Sequence, residues 1–306
     1  MADHRLRIVA ALGGNALIRR GEPPEADIQQ SHVHQAILGM RSVLLEHQMI
    51  LTHGNGPQVG LLAAESERDA ALTRPYPFDV LVAQTQGMIG YWLVQALENA
   101  TEDRLVAGLV CQTLVRPDDP AFLAPSKFVG PGFDERTAAQ MTSERGWTMS
   151  RDGSSWRRVV ASPDPVGIME MPLIQRLADH DVILVCGGGG GVPVVTDSSG
   201  QLHGVEAVVD KDASSALIAE EVRADMLLLL TDVEAVQLHF GTPEAKPLSR
   251  ATVGELRAQE FPAGSMGPKV QAACRFVEHT GRPAAIGRLD DCAELVSGTR
   301  GTTVVP

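Results

Sequence analysis

Lysine is scarce in this 306-residue chain: Lys127, Lys211, Lys246 and Lys269 are the four among 26 basic residues. Arginine carries the ordinary surface charge, so each lysine is either chance in a small sample or a place needing a compact, flexible ammonium. Three of the four lie in or beside Gly/Pro-rich turns. Cysteine is also rare. Cys111, Cys186, Cys274 and Cys292 are far apart and form no C-x-x-C pair, which removes the signatures of a zinc site and of a disulfide framework. They read as reduced, mostly buried thiols. Long apolar runs are missing, none approaching the roughly 20 residues that span a bilayer. The opening MADHRLRIVAALGG is too short and too polar for a secretory signal, so a cytoplasmic protein with no membrane segment is expected. Without export, the glycosylation pattern Asn99-Ala100-Thr101 is accidental. Excess positive charge is absent as well. A formal charge of −12 and a pI near 5.2 argue against non-specific nucleic-acid binding, which needs a basic face, and any anionic ligand must be met by local positive charge.

What is present is a core-forming composition, 44% hydrophobic, with short apolar runs alternating with segments of helical period. That alternation is the pattern of an α/β protein with a mostly parallel sheet. Strands are expected at Arg7 to Leu12, Met49 to Thr52, Leu105 to Cys111, Val182 to Cys186, Met226 to Leu230 and Pro283 to Ile286. Pro57 and Pro268, each after glycines, stand where a first helical residue is expected, because proline has no N–H to lose there. Residues 116–165 are rich in Pro, Gly, Asp and Ser and show little regular patterning. So long a stretch in a compact domain is usually functional or disordered. The expectation is one domain over 1–306 with a protruding lid at about 116–165, although two lobes around a cleft fit equally well.

Several turns can carry chemistry. ALGGNAL (11–17) follows a strand and opens toward a helix, so its glycines suit either a tight turn or the approach of backbone N–H groups to an anion. It matches neither G-x-G-x-x-G nor G-x-x-x-x-G-K-[ST]. THGNGPQVG (52–60) repeats the logic with a stronger helix start. Ligands of open α/β sheets lie beyond the carboxyl ends of the strands, so the two turns can face one site. His53 reads as a packed histidine rather than a catalyst, since no H-E-x-x-H or G-x-S-x-G accompanies it. In CGGGGGVPVV (186–195), five glycines after a buried strand point to backbone approaching a ligand. Asp210, Lys211 and Asp212 precede a helix. Either Asp212 caps it and Lys211 is solvated, or Lys211 reaches a phosphate and Asp210 orients it. TDVEAV (231–236) offers a nucleotide-binding edge or only a turn. In FPAGSMGPKVQAA (261–273), Lys269 at a helix start opposes the helix dipole, a conflict of ~0.3–1 kcal/mol that a bound anion would remove.

In this order ALGGNAL, THGNGPQVG, QGMIGY, WRRVV, GGGG with VPV, VEAVVDKD, LLLTDV and AGSMGPKV resemble the signature segments of carbamate kinases, nearly end to end. The resemblance implies the amino acid kinase architecture: a three-layer αβα sandwich with a central, mainly parallel sheet, assembled as a homodimer. It further implies reversible phosphoryl transfer, ADP and carbamoyl phosphate giving ATP and carbamate, which breaks down to ammonia and CO2, within arginine metabolism. Gly13, Gly14, Asn15, Gly54 and Asn55 would hold the acceptor and the transferring group. Lys211, Asp210 and Lys269 match charged groups at the nucleotide phosphates, and Lys127 matches the lid lysine. Gly188, Gly189, Thr231, Asp232, Met266 and Gly267 fall in the nucleotide-binding segments. Mg²⁺ is implied with ATP or ADP, with no residue of the chain assigned as its ligand. Phe128, where the family commonly has proline, and QTQG before Met88 depart from the pattern. The alternatives are a relative acting on another small acid or phosphate, and a catalytically silent nucleotide-binding sensor.

Overall fold

The computed structural model describes residues 5–14, 17–19, 21–262 and 266–306. Its centre is an eight-stranded sheet in the order Arg250–Thr252, Thr302–Val305, Ala284–Arg288, Met226–Thr231, Arg7–Leu12, Gln48–His53, Ile183–Val185 and Val106–Gly108. Every neighbouring pair is parallel except Ala284–Arg288 with Thr302–Val305. Successive side chains of a strand face opposite ways, and the first strand shows the consequence. Val9 and Ala11 pack in one apolar cluster with the helices Met171–Asp179, Lys211–Glu221 and Met266–Thr280. Ile8, Ala10 and Leu12 pack in another with the helices Ala26–Gly39, Phe78–Ala100 and Cys292–Ser297. Burial on both faces explains why MLLLL shows no polar alternation. The architecture is therefore helix, sheet, helix in three layers, as the resemblance implied.

The boundaries differ from the expectation in places. Leu105 to Cys111, expected as one strand, contributes only Val106–Gly108 to the main sheet. The chain then crosses into Gln112–Val115 of a four-stranded sheet with Leu202–Gly204, Val192–Thr196 and Pro165–Ile168. Gln86 holds the crossing point, accepting from Cys111 N at 3.0 Å and donating to Cys111 O at 3.1 Å. Pro57 is the second residue of helix Gly56–Arg68. Pro268 is the third residue of Met266–Thr280 rather than the first. No bond is lost, because the first four N–H groups of a helix have no partner within it.

Residues 116–165 are far more regular than expected. Lys127–Phe133, Ser155–Val160 and Met149–Asp152 form an antiparallel sheet, with helix Glu135–Arg145 between its first two strands in sequence. Asp134 caps that helix by accepting from Thr137 N at 2.7 Å, and Gly146 ends it at φ 67°. Val129 and Val160 of this sheet join Val59, Ala63, Phe78, Leu81, Val82 and Val208 in a third apolar cluster. Period-2 alternation was hidden here by glycine, proline and arginine. Phe128 pairs with Val159, with the Arg157 guanidinium 5.5 Å from its ring centre.

Candidate active site

ALGGNAL, THGNGPQVG, CGGGGGVPVV and TDVEAV follow parallel strands of the main sheet, whereas VEAVVDKD follows Leu202–Gly204 of the four-stranded sheet and FPAGSMGPKVQAA follows the short helix Val253–Arg257. Contacts among them gather them at the carboxyl edge of the main sheet. Gly13 donates its N–H to Leu230 O at 3.0 Å, and Gly54 donates to Leu12 O at 3.1 Å. These two amides continue the sheet ladder and are not available to an anion. Their glycine character answers a different need. A Cβ on Gly13 would stand 2.9 Å from Leu230 O, and one on Gly54 would stand 3.3 Å from Gly14 N and 3.5 Å from Lys211 Cδ. Among the described residues the amides of Gly14 and Asn55 have no acceptor. Asn15 lies outside the described residues.

The glycine run meets a packing need of the protein itself. Gly189, at φ 64°, lies so close to Asn55 that a Cβ would stand 2.2 Å from its amide nitrogen. A Cβ on Gly188 would stand 2.3 Å from His53 Nε2. Gly188 and Gly189, implied at the nucleotide by the resemblance, thus pack against the turn implied at the acceptor. Gly190 O accepts from Thr113 Oγ1 at 2.7 Å and from Ser214 Oγ at 2.8 Å.

Lysines gather above this floor. Lys269 Nζ donates to Asp212 Oδ2 at 2.9 Å, and Lys211 Nζ donates to Asp212 Oδ1 at 2.5 Å. The helices that carry them, Lys211–Glu221 and Met266–Thr280, pack in the same apolar cluster. Asp210 does something else. Its Oδ1 caps the helix by accepting from Asp212 N at 2.9 Å, and its Oδ2 accepts from Lys127 Nζ at 2.7 Å. The expectation that Asp210 orients Lys211 is therefore corrected: Asp212 holds Lys211, and Asp210 meets the lysine of the 127–160 sheet. The reason is helical geometry, since the N-cap carboxylate turns back onto its own first turn. Ser215 completes the mounting, donating to Lys211 O at 2.6 Å and lying 2.6 Å from Thr52 Oγ1. Asp212, Ser214 and Ser215 were legible only as a helix start, and the carboxylate on each side of Lys211 was the available signal.

Burial by itself would raise the Asp212 carboxyl, but the two ammonium groups outweigh it and hold the group well below the usual carboxylate range. Lys211 is lowered, chiefly by burial and further by Lys269, against the pull of Asp212. One carboxylate between two ammonium groups leaves a local excess of positive charge. His53 is pushed down to about 4 by burial, opposed by its bond to Gly54 O and reinforced by Lys211. Its Nδ1 lies 2.9 Å from that carbonyl, an arrangement that uses Nδ1–H as donor in the neutral ring.

Thr231 ends its strand beside Gly13, its Cα 3.6 Å from where a Cβ on Gly13 would be, and its hydroxyl donates to Asp232 at 3.2 Å. Met266 and Gly267 open the helix of Lys269, with Gly267 N donating to Pro262 O at 3.0 Å. Gly264 and Ser265, singled out in the same turn, lie outside the described residues.

Residues 6–288 match the amino acid kinase family. The carbamate kinase of Rhizobium meliloti (strain 1021) is 46% identical over 302 residues, covering 98% of this chain and 93% of that protein. The carbamate kinase of Thermococcus kodakarensis is 45% identical over 312 residues, covering 98% and 99%. The structure of carbamate kinase from Giardia lamblia bound to AMP-PNP superposes with a TM-score of 0.90 at 34% identity, covering 99% of each chain.

Proposed function

The chain belongs to the amino acid kinase family, and on that premise we propose that it is a carbamate kinase, transferring a phosphoryl group reversibly between ATP and carbamate. The observation that carries this reading is the pair Lys211 and Lys269 held on one carboxylate beside the Gly14 and Asn55 amides. Phosphoryl transfer is catalysed mainly by positioning and by stabilising charge on the equatorial oxygens. Asp212 keeps the two ammonium groups side by side, so an incoming phosphoryl group meets fixed positive charge without reorganising it. An anion arriving there also offsets the burial that lowers Lys211. Carbamate leaves and attacks as an oxyanion, so no general base is needed. That agrees with a site whose one histidine, His53, is buried and neutral.

In this reading Gly14, Asn15 and Asn55 meet the acceptor and transferring group, with Gly13 and Gly54 shaping their approach. Lys211, Lys269, Thr231, Asp232, Met266 and Gly267 serve the nucleotide half. Residues 116–165 act as a lid whose Lys127 exchanges Asp210 for the phosphoryl group. Mg²⁺ accompanies the nucleotide. The residues present do not make a cage for it: Asp212 is committed to two lysines and Asp210 to Lys127 and a helix cap, and the described residues contain no cluster of three or more His, Cys, Asp or Glu. Its ligands are then the nucleotide phosphates, and the steps above concern the chain's own groups. No helix among the described residues is long and apolar enough to cross a membrane, and a cytoplasmic location is proposed.

A homodimer is proposed as well. Its support is the strand Val106–Gly108, which has no neighbour on its outer edge among the described residues and is flanked by exposed Leu105, Val110 and Tyr91 beside a cleft of about 370 Å³. A bare apolar edge of this kind is a template for another chain. Light scattering at micromolar concentration should give twice 32.6 kDa, and a monomer mass would count against it.

The activity test is ATP formation from ADP, Mg²⁺ and carbamoyl phosphate, with acetyl, glutamyl and aspartyl phosphates as comparators. Turnover confined to carbamoyl phosphate supports the reading. A preference for another acyl phosphate makes the chain a relative with a different acceptor, and no turnover with any makes it a sensor.

A further inference from the structure

WRRVV is a motif the reaction has not yet used. Its second arginine, Arg158, lies on strand Ser155–Val160, which pairs with Lys127–Phe133 so that Val129 faces Arg158 and Lys127 faces Val160. Arg158 and Lys127 therefore sit near one another on a single rigid strand pair. The Arg158 guanidinium lies between two rings, 4.5 Å from the centre of Trp147 and 4.9 Å from that of Phe78. Its Nη2 donates to Glu206 Oε1 at 2.7 Å. The other Glu206 oxygen accepts from Phe78 N at 3.0 Å, at the start of helix Phe78–Ala100. Trp147 belongs to the 116–165 excursion, whereas Phe78 and Glu206 belong to the body. Guanidinium suits this place because its plane can stack on rings while its edge bonds a carboxylate.

The same short body segment receives both cations. Glu206 takes Arg158 and Asp210 takes Lys127, each at 2.7 Å, and between them Val208 N donates to Ala161 O at 3.0 Å. The two pairs differ in what surrounds them. The Arg158 side chain is 18% exposed and lies near two rings, with its partner Glu206 44% exposed, whereas the Lys127 side chain is 37% exposed and its partner Asp210 22%. Arg158 thus has two ring contacts besides its ion pair, and the Lys127 ammonium has Asp210.

We propose that Arg158 is a positioning residue for Lys127: clamped by Trp147, Phe78 and Glu206, it seats the strand pair so that the Lys127 ammonium reaches the transferring phosphoryl group. This rests on the reading of Lys127 as the lid lysine. It assigns WRRVV a task in acceptor-side binding and none at the nucleotide.

The test is a double-mutant kinetic cycle on the full chain, Arg158→Ala and Lys127→Ala singly and together, with carbamoyl phosphate and ADP varied separately. Arg158→Ala should lower kcat/KM for carbamoyl phosphate by about tenfold or more while KM for ADP stays within about twofold. Arg158→Lys should recover part of the loss, since an ammonium still pairs with Glu206. Adding Arg158→Ala to Lys127→Ala should cost little more, because a residue acting through another has no separate effect once that one is gone. Independent, multiplicative losses would overturn the proposal, as would equal damage to both substrates. Should Arg158→Ala fail to fold, Glu206→Gln in both backgrounds replaces it. Impaired Lys127→Ala with normal Arg158→Ala removes the positioning role alone; normal Lys127→Ala removes the lid reading itself and the proposal with it.

Discussion

Asp210 and Asp212 stand two residues apart at the start of one helix, yet they hold their lysines in different surroundings. Asp212 is 5% exposed and its partners Lys211 and Lys269 are each 13% exposed. Asp210 is 22% exposed and its partner Lys127 is 37% exposed. An ion pair open to water contributes at most about 1 kcal/mol, whereas breaking a buried one leaves an uncompensated charge costing roughly 3–5 kcal/mol. The Asp212 group is therefore a permanent fixture of the fold, and the Asp210 pair is cheap to exchange. On the proposed reading, a phosphoryl group would displace Asp210 from Lys127 and bind on top of the Asp212 group as it stands.

The sharpest break of this comparison is to remove the fixed lysines. Lys211→Ala and Lys269→Ala should each lower turnover by about a hundredfold or more, with thermal stability nearly unchanged because Asp212 keeps one partner. Turnover within a fewfold of wild type for both, in a coupled ATP assay, would show that the charges serve the fold only.

A smaller effect concerns pH and the floor beneath the lysines. His53 titrates at about 4 in the fold and near 6.5 when unfolded, so between those values the unfolded chain binds more protons. Its contribution to stability is complete above pH 6.5 and is lost as pH falls toward 4, at most roughly 3 kcal/mol. Chemical denaturation of wild type and His53→Gln across pH 4–7 should show a shallower slope in the variant. Parallel slopes would remove His53 as the source. The smallest effect is expected at Lys246, which is exposed in a two-residue strand and belongs to none of the motifs. Lys246→Ala should match wild type in both turnover and melting temperature, and a loss there would mean that any lysine removal is damaging.

Much of this was readable before the structure. Five strands were placed because parallel strands buried on both faces are short, unbroken apolar runs, the sixth, Leu105 to Cys111, yielding only the partly exposed Val106–Gly108, and Pro57 marked a helix start. Scarcity made Lys127, Lys211 and Lys269 conspicuous. What could not be read was which carboxylate each lysine meets, because Asp210 and Asp212 flank Lys211 alike and only the cap geometry separates them. Nor did the glycines declare their partners. Gly187–Gly191 signalled close approach, but His53, Asn55, Val209 and Thr113 crowd them only in three dimensions. The 116–165 sheet was obscured because its apolar side chains, Val129 and Val160 among them, pack against helix residues distant in sequence.

The comparison itself is tested most directly by Asp212→Asn beside Asp210→Asn, measured as turnover at saturating ADP and carbamoyl phosphate. Asparagine caps a helix as well as aspartate does, so the second variant removes charge from Lys127 and little else. The account predicts that Asp212→Asn loses about a hundredfold or more, as the lysine variants do, while Asp210→Asn stays within about tenfold of wild type. Equal losses, or a greater loss at Asp210, would contradict it and return Asp210 to the role of holding Lys211.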